Sequence, residues 1–224
     1  MKINLLAIIP ARKNSVGIKN KHLISLNGKK VIEYTFINAK NSNYIDEILV
    51  STDDLKIIKL SKKYNIKVPF IRPKNLSTSS SKMSDVVKHL LFWFKKNQGY
   101  LPKNFILLQP TSLFRSNKDI DKAIMKFNRK RSKSLVSISE TVNNCHEIID
   151  LNKNYFVFKK AELNRQNYKK SFFINGSIYI RNTKNFLQTS RLVAIKSHYI
   201  ILNKLNSLEL DDGFDLSLIK KLKN

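Results

Sequence analysis

A short basic loop near the start of the chain contains the residue types that bind phosphate. It follows an apolar run, 5–9, and carries Arg12, Ser15, Gly17 and Lys21. Arginine and lysine side chains, together with backbone N–H groups in a turn, can hold a chain of phosphates. The loop fits neither the G-x-G-x-x-G pattern of dinucleotide sites nor the Walker pattern G-x-x-x-x-G-K-[ST]. It therefore predicts a phosphate loop of another kind, with an ordinary exposed connection as the alternative.

The chain as a whole is strongly basic. Its 224 residues include 42 Lys and Arg against 16 Asp and Glu, a formal net charge of +26. Such a field attracts polyanions, so nucleotides, nucleic acid and anionic lipids are all compatible with it. Lysine far outnumbers arginine, whereas nucleic-acid binders concentrate arginines that grip phosphates in pairs. We interpret most of the charge as solvated surface and expect no specific nucleic-acid partner.

Cysteine content and hydropathy indicate a cytoplasmic protein. The chain has one cysteine, Cys145, which has no partner in the sequence for a disulfide or a thiolate zinc site. No apolar run approaches the roughly 18 residues that a membrane span requires. We therefore expect a reducing compartment and no membrane association.

Strand-like and helix-like periodicities alternate up to about residue 131, which is typical of βαβ units around a parallel sheet. The predicted strands of this part are 5–9, 45–51, 67–71 and 105–108. The predicted helices are 31–40, one capped by Thr52, one after the Ser/Thr-rich loop 77–84, and one from Ser116 through Phe127.

Extended segments predominate beyond residue 131. They are 134–139, 155–158, 172–180 and 199–202, and the last three predict an antiparallel flap or subdomain. A closing helix is predicted at 214–222, with four apolar side chains turned inward: Phe214, Leu218, Ile219 and Leu222.

Several short motifs lie where predicted strands end, which is where open α/β sheets bind ligands. They are Ile9-Pro10-Ala11-Arg12 with Ser15, Gly17-Ile18 and Lys21; Val50-Ser51-Thr52-Asp53-Asp54; Leu108-Gln109-Pro110-Thr111-Ser112 with Arg115; Arg165-Gln166; and Asn175-Gly176-Ser177-Ile178-Tyr179-Ile180. In order and spacing, over nearly the whole chain, these motifs resemble the acylneuraminate cytidylyltransferases, the CMP-sialic acid synthetases.

The resemblance implies a fold and a reaction. The fold is α/β, a Rossmann-like nucleotidyltransferase fold with a mainly parallel central sheet. It forms one cytidylyltransferase domain over residues 1–224, with a small extended dimerisation subdomain at about 140–175. The reaction transfers CMP from CTP to the anomeric hydroxyl of a nonulosonic acid such as N-acetylneuraminate. Pyrophosphate leaves, Mg²⁺ assists, and the enzyme is a homodimer.

The resemblance also assigns residues by matching motif positions. The nucleotide-binding set is Arg12, Ser15, Lys21, Arg72 and Ser81. Arg12 and Lys21 would stabilise charge on the leaving pyrophosphate, and Arg72 and Ser81 would lie near the cytosine. The sugar-binding set is Gln109, Arg165, Gln166, Asn175 and Tyr179. Gln109 would sit beside the reacting centre, and Arg165 would reach the other subunit.

The sequence departs from the family at the metal site. Glu209-Leu210-Asp211 stands where the family typically has Asp-x-Asp, whose carboxylates bind Mg²⁺. In an extended segment, alternate residues point to the same side, so Glu209 and Asp211 can face one cation. Asp212 and Asp215 follow, and a helix cap at Asp211 or Asp212 is the alternative. His22 also departs, because the family usually has asparagine there.

Other functions remain open on the sequence alone. The substrate could be legionaminate or pseudaminate, although Asn175-Gly176 favours the sialate or legionaminate type. Glu209 and Val16 argue for a catalytically silent homologue, because Val16 removes an expected phosphate contact. The net charge argues for a basic nucleic-acid-binding protein, for which no binding module is legible.

Overall fold

The computed structural model describes residues 2–15, 17–141, 150–151, 156–157 and 170–223. The strands in these residues are β1 (Leu5–Ala11), β2 (Ser25–Leu26), β3 (Lys29–Lys30), β4 (Glu47–Thr52), β5 (Asn104–Leu108), β6 (Ser134–Glu140), β7 (Asp150–Leu151), β8 (Phe156–Val157), β9 (Phe172–Asn182) and β10 (His198–Ile201). The α-helices are α1 (Val31–Lys40), α2 (Leu55–Lys63), α3 (Met83–Gln98), α4 (Asn117–Arg129), α5 (Thr183–Thr189) and α6 (Gly213–Lys223), and single 3-10 turns lie at Lys21–Leu23 and Lys74–Leu76.

The central sheet has the order β10-β6-β9-β5-β1-β4 in the described part of the chain. Strands β4, β1 and β5 are mutually parallel, and β10 is parallel to β6. Strand β9 runs antiparallel between β5 and β6. The predicted α/β fold with a mainly parallel sheet is therefore confirmed.

Helices cover both faces of this sheet, which explains the uninterrupted apolar run of β1. Leu5, Ala7 and Ile9 face a cluster that contains side chains of α1 and α4. Leu6 and Ile8 face the opposite cluster, built with α3 and α5. Every residue of β1 is buried. The strand is thus fixed on both sides, and so is the point at which the basic loop leaves it.

The prediction that 172–180 and 199–202 belong to a separate antiparallel flap is wrong. Strand β9 lies inside the main sheet, and β10 forms its edge beside β6. A strand's alternation of side chains does not identify its pairing partner, which here is distant in sequence. In the region predicted as a dimerisation subdomain, the described residues include a two-residue antiparallel ladder between β7 and β8. The rest of 142–169 lies outside the described residues.

Two local predictions also need correction. The predicted strand 67–71 is reduced to isolated bridges, Leu49 with Lys67 and Thr52 with Ile71. Pro69 lies between them and has no N–H to donate to a ladder. Asp54, not Thr52, caps α2, and its carboxylate accepts from the backbone N–H of Lys56 at 2.8 Å.

The closing helix forms as predicted, but its buried face is narrower. Ile219 is fully buried, and Leu216 packs against the same cluster. Phe214 is 76% exposed and Leu222 is 50% exposed, so their predicted inward orientation is wrong. The α6 helix packs against this cluster through residues 216 and 219, which lie one turn apart. The apolar side chains near its two ends, at 214 and 222, lie outside this cluster.

Candidate active site

The site lies at the edge of the sheet where the parallel strands β1, β4 and β5 end. Arg12 follows β1, Asp53 follows β4 and Gln109 follows β5. The antiparallel strand β9 enters at the same edge, because Ile178 pairs with Leu108 at the end of β5. Loops from four strands therefore converge at the position where α/β sheets bind ligands.

A cavity of about 440 Å³ contains all five residues predicted to bind nucleotide. They are Arg12, Ser15, Lys21, Arg72 and Ser81. Positive side chains thus approach from the loop after β1, from the 3-10 turn Lys21–Leu23 and from the segment between α2 and the 3-10 turn Lys74–Leu76. We call this the nucleotide cavity.

Two arginines of this cavity are held by backbone oxygen atoms. The Arg12 guanidinium donates to the carbonyl of Thr78. Arg72 is buried, and it donates to the Ser51 carbonyl and, at 3.0 Å, to the Ser51 hydroxyl. Burial lowers the pKa of Arg72 to about 10, with Asp53 acting in the opposite direction. At neutral pH Arg72 therefore remains charged, and the positions of both arginines are set before any ligand arrives.

The two predicted hydroxyls of the nucleotide cavity have different surroundings. Ser81 donates to the carbonyl of Asn75 at 3.0 Å and lies 2.8 Å from the Thr78 hydroxyl. The Ser15 hydroxyl oxygen is buried and has no hydrogen-bond partner among the described residues. Ser81 therefore orders its own loop, whereas Ser15 has unused hydrogen-bonding capacity beside the cavity.

A second cavity, of about 970 Å³, contains the described residues predicted to bind sugar. They are Gln109, Asn175 and Tyr179, and Glu209 and Asp211 line the same space. Gln109 and Asp211 also line the nucleotide cavity, so the two spaces meet there. The Gln109 side-chain amide makes no hydrogen bond to a described residue. We call this second space the sugar cavity.

Asn175 is tied into the sheet. Its amide nitrogen donates to Ser139 at 2.8 Å, and its amide oxygen accepts from the hydroxyl of Ser137 and from the backbone N–H of Ser177. Tyr179, from the same strand, is partly buried, and burial followed by the charge of Glu209 raises the pKa of its hydroxyl. Asn175 thus fixes β9 against β6, and one N–H of its amide remains for a ligand.

The two predicted metal ligands lie side by side on the segment before α6. The backbone N–H of Leu210 donates to the Thr111 carbonyl at 3.0 Å, which holds this segment against the loop after β5. Glu209 accepts from the Ser112 hydroxyl at 3.1 Å. Burial, followed by the charge of Asp211, raises the pKa of Glu209 to about 7. Asp211 accepts from the Lys21 ammonium at 3.0 Å.

The remaining acids of this cluster have a different role. Asp212 caps α6 by accepting from the backbone N–H groups of Phe214 and Asp215 at 2.8 and 3.0 Å. Asp215 accepts in return from the N–H groups of Asp211 and Asp212 at 2.9 and 3.0 Å. The helix-cap alternative, predicted for Asp211 or Asp212, is therefore correct for Asp212, and Asp215 completes the cap. The side chains of Glu209 and Asp211 are not used in this cap.

The donor set formed by Glu209 and Asp211 fits Mg²⁺. Burial leaves the negative charge of Glu209 incompletely balanced, and a cation would balance it. Mg²⁺ typically takes one or two protein carboxylates together with phosphate oxygens and waters. Within the described residues, no group of three or more His, Cys, Asp or Glu forms a metal cluster. Glu209 and Asp211 would therefore hold the ion together with phosphate oxygens and waters.

Sequence reasoning missed residues that support the site from behind. Arg115 is fully buried and donates to the carbonyls of Gln109 and Ser177 at 3.1 and 2.6 Å and to the Thr35 hydroxyl at 2.8 Å. It thereby joins the end of β5 and the middle of β9 to α1. The only indication of this role in the sequence is the position of Arg115 in the motif Leu108–Arg115. Ser112, the partner of Glu209, belongs to the same motif.

Two glycines lie directly against the candidate metal ligands. A Cβ atom on Gly17 would collide with the backbone carbonyl of Asp211. A Cβ atom on Gly176 would collide with the Glu209 carboxylate, and Gly176 also has a φ of +75°. The predicted sugar ligands Arg165 and Gln166 lie outside the described residues. The other predicted site residues all line the two cavities.

An open α/β sheet with a cationic cavity at its carboxyl edge defines a nucleotidyltransferase-like protein. The chain belongs to the cytidylyltransferase family, whose sequence profile matches residues 6–223. It is 31% identical to the CMP-N,N'-diacetyllegionaminic acid synthase of Legionella pneumophila, covering 98% of this chain and 96% of that protein. It is 32% identical to a pseudaminic acid cytidylyltransferase of Campylobacter jejuni, covering 97% and 95%. The predicted family is confirmed.

Two further similarities extend this result. The N-acylneuraminate cytidylyltransferase of Escherichia coli O18:K1:H7 is 28% identical over all of this chain, which spans 54% of that relative's length. Among solved structures, a CMP:2-keto-3-deoxy-manno-octonic acid synthetase complexed with CTP superposes with a TM-score of 0.72 at 15% identity, covering 97% of each chain. This likeness confirms the Rossmann-like nucleotidyltransferase fold.

No helix among the described residues is long and apolar enough to cross a membrane.

Proposed function

We propose that this chain transfers CMP from CTP to the anomeric hydroxyl of a nonulosonic acid, releasing pyrophosphate. The observation that carries the proposal is the meeting of a cationic cavity and a larger cavity at Gln109 and Asp211. A reaction that joins a nucleotide to a sugar needs two such spaces in contact at the reacting atoms. The relatives named for neuraminate, legionaminate and pseudaminate support this class of acceptor.

The nucleotide half of the reaction depends on fixed positive charge. Arg12 and Lys21 would contact the phosphates and stabilise the negative charge that grows on the leaving pyrophosphate. Ser15 would donate its free hydroxyl to the same group. Arg72 and Ser81, deeper along the cavity wall, would face the cytosine. Because these side chains are held before binding, little reorganisation is needed during the reaction.

The acceptor half depends on orientation. The unengaged amide of Gln109 would hydrogen-bond the sugar beside the reacting hydroxyl, and Tyr179 and Asn175 would bound the sugar from β9. Glu209 and Asp211 would hold Mg²⁺ next to the phosphates. When bound, the ion supplies a Lewis acid that neutralises phosphate charge and lowers the pKa of the attacking hydroxyl. No covalent enzyme intermediate is required.

We also infer the assembly and the location. The homodimer stays a prediction. In it, the segment at about 140–175 would form the dimerisation subdomain, and Arg165 would reach the partner's sugar cavity. A cytoplasmic location also stays a prediction, based on the single cysteine. N-acetylneuraminate is the foremost acceptor, with legionaminate and pseudaminate as alternatives. A silent homologue would bind these ligands without turnover.

A pyrophosphate-release assay tests the proposal. The protein is incubated with CTP, or with ATP, GTP or UTP as controls, and with each nonulosonic acid in turn, with and without Mg²⁺. We expect release that requires CTP, an acceptor and Mg²⁺ together, with the CMP-sugar seen by mass spectrometry. Binding of CTP without release on any acceptor would favour the silent homologue. Absence of CTP binding would overturn the proposal.

A further inference from the structure

One titratable side chain of the nucleotide cavity has no place in the mechanism above. His22 lies in the 3-10 turn Lys21–Leu23, is 7% exposed, and lines the nucleotide cavity. It is the one histidine among the described residues of that cavity wall. It is the residue directly after Lys21, whose side chain lines the same nucleotide cavity.

The charges that act on the His22 ring come from three elements, and all are positive. Lys21 lies on its own turn, Arg12 on the loop after β1, and Arg72 on the segment between α2 and the 3-10 turn Lys74–Leu76. The backbone of Arg12 favours the protonated ring by hydrogen bonding, but burial and the three cations oppose it. Together they lower the pKa of His22 to about 4. In the ligand-free protein His22 is therefore neutral at any pH near 7.

Asp211 is the acid that lines the same cavity among the described residues, and it is already paired with Lys21 at 3.0 Å. The part of the cavity wall that the structure describes thus offers the ring no unpaired carboxylate. A triphosphate in the cavity would bring several negative charges close to the imidazole. It would also offset the charges of Arg12, Lys21 and Arg72, which now oppose protonation. Both changes favour the imidazolium form.

We propose that binding of the nucleotide triphosphate protonates His22, which then adds a further positive charge to the nucleotide cavity and makes nucleotide affinity depend on pH. This inference rests on the proposed use of the cavity for CTP. In this step one proton passes from solvent to the His22 ring as the nucleotide binds, and the same proton returns to solvent when the nucleotide leaves. By linkage, the affinity for CTP rises as the pH falls.

The direct test observes the ring itself. The Cε1–H resonance of His22, assigned by its loss in His22→Asn, reports whether the ring is neutral or charged. At pH 6.5 we expect the chemical shift of a neutral imidazole in the free protein. On adding CTP with excess Mg²⁺, the resonance should move toward the chemical shift of an imidazolium. The shift itself is measured on the unaltered protein, and the variant serves only to assign the resonance.

Calorimetry gives the second measurement. CTP with excess Mg²⁺ is titrated at pH 6.5 into protein in two buffers of different ionisation enthalpy, and the difference in heat gives the protons taken up. We expect uptake above about 0.3 proton per nucleotide for the parent, and a CTP Kd that falls between about threefold and tenfold from pH 8 to pH 6. His22→Asn should lose both effects.

Two controls separate this uptake from other protons. Any proton exchange by the phosphates of Mg²⁺-bound CTP contributes equally to the parent and to His22→Asn, so the difference between the two proteins cancels it. His198→Asn removes an exposed histidine that is bonded to Ser132 at 2.8 Å, at the far edge of the sheet, and it should behave as the parent.

Each outcome decides between the inference and the proposed function. A His22 ring that stays neutral in the CTP complex, with CMP-sugar still formed, would overturn this inference alone. Equal proton uptake by the parent and His22→Asn would do the same. Failure of CTP to bind at all would overturn the proposed function and this inference with it.

Discussion

The ammonium nitrogen of Lys21 lies 3.0 Å from Oδ1 of Asp211, although the two residues are 190 positions apart in the sequence. The same nitrogen donates to the carbonyl of Leu210 at 3.1 Å. The Asp211 side chain is largely exposed, and ion pairs of this kind contribute little stability. The pair therefore matters for its position: it joins the loop predicted to bind phosphate to the carboxylate predicted to bind metal.

The first prediction concerns that carboxylate. Asp211→Asn should lower turnover by at least about 100-fold, because an amide keeps the shape but loses the charge that holds a hard cation. CTP should still bind, since Arg12 and Lys21 remain, but its affinity should respond less to Mg²⁺. The measurement is turnover and CTP binding over a Mg²⁺ titration.

Asp212→Asn is the matched control for this change. Asparagine caps helices as well as aspartate does, so this variant should keep parental stability and parental Mg²⁺ dependence. If Asp211→Asn also kept the parental rate and metal dependence, the metal would have to lie elsewhere.

The second prediction concerns Glu209, where the family typically has aspartate. Glu209→Asp should be tolerated, with activity within about tenfold of the parent, or roughly 1.4 kcal/mol in the barrier. The shorter side chain keeps the charge but weakens the contact with Ser112. Steady-state kinetics at saturating Mg²⁺ measure this. A loss as large as that of Asp211→Asn would mean that the length of Glu209 is essential in this protein.

The third prediction uses two glycines with the same backbone conformation. Gly176 and Gly28 both have φ of +75°, but a Cβ atom would meet the Glu209 carboxylate at Gly176 and nothing within 4 Å at Gly28. Replacing either with alanine should destabilise the fold by about 1 kcal/mol, the usual strain of that conformation. Gly176→Ala alone should also reduce kcat, because it displaces Glu209. Equal kcat values in the two variants would show that Glu209 is free to move without consequence.

The fourth prediction concerns stability and pH in the absence of nucleotide. The pKa of His22 is about 4 in the fold against a usual value of 6.5, so between these values the unfolded chain binds more protons. The contribution of His22 to stability should therefore be full above pH 6.5 and should be lost as the pH drops toward 4, by up to about 3 kcal/mol. Urea unfolding at a series of pH values measures it. His22→Asn should flatten the curve in this window, whereas His198→Asn should not.

The fifth prediction concerns Arg115. Its guanidinium is fully buried and supports Gln109, Ser177 and Thr35 from behind the site. Arg115→Met should destabilise the protein by about 3 kcal/mol or more, because three acceptors lose their donor. Thermal unfolding measures this loss. Arg115→Lys should recover part of the stability, and no recovery would indicate that the planar fork geometry is required.

Much of the fold could be predicted because its signals are local. The apolar run of β1, the stripe of α1 and the Ser116 cap of α4 each depend on neighbouring residues. The positions of β9 and β10 could not be predicted in the same way. Their pairing with β5 and β6 depends on contacts between distant segments, which alternation of side chains does not encode.

The residues of the candidate site likewise divide into those that a local motif predicts and those that only contacts between distant segments place. Motif positions placed Arg12 and Lys21 together in the nucleotide cavity. They could not show that Asn175 would be bonded into the sheet or that Arg115 would be buried. Each of these depends on which distant group a side chain meets once the chain has folded.

The contact of Gly17 and Lys21 with Asp211 also has a consequence for biosynthesis. A ribosome adds about 5 to 20 residues per second, so about 10 to 40 seconds separate the synthesis of Lys21 from that of Asp211. During this interval the nascent phosphate loop lacks the carboxylate segment that packs against it. A ribosome-bound chain can thus acquire its parallel strands β1, β4 and β5 early, but its catalytic competence must await the emergence of the segment before α6 from the exit tunnel.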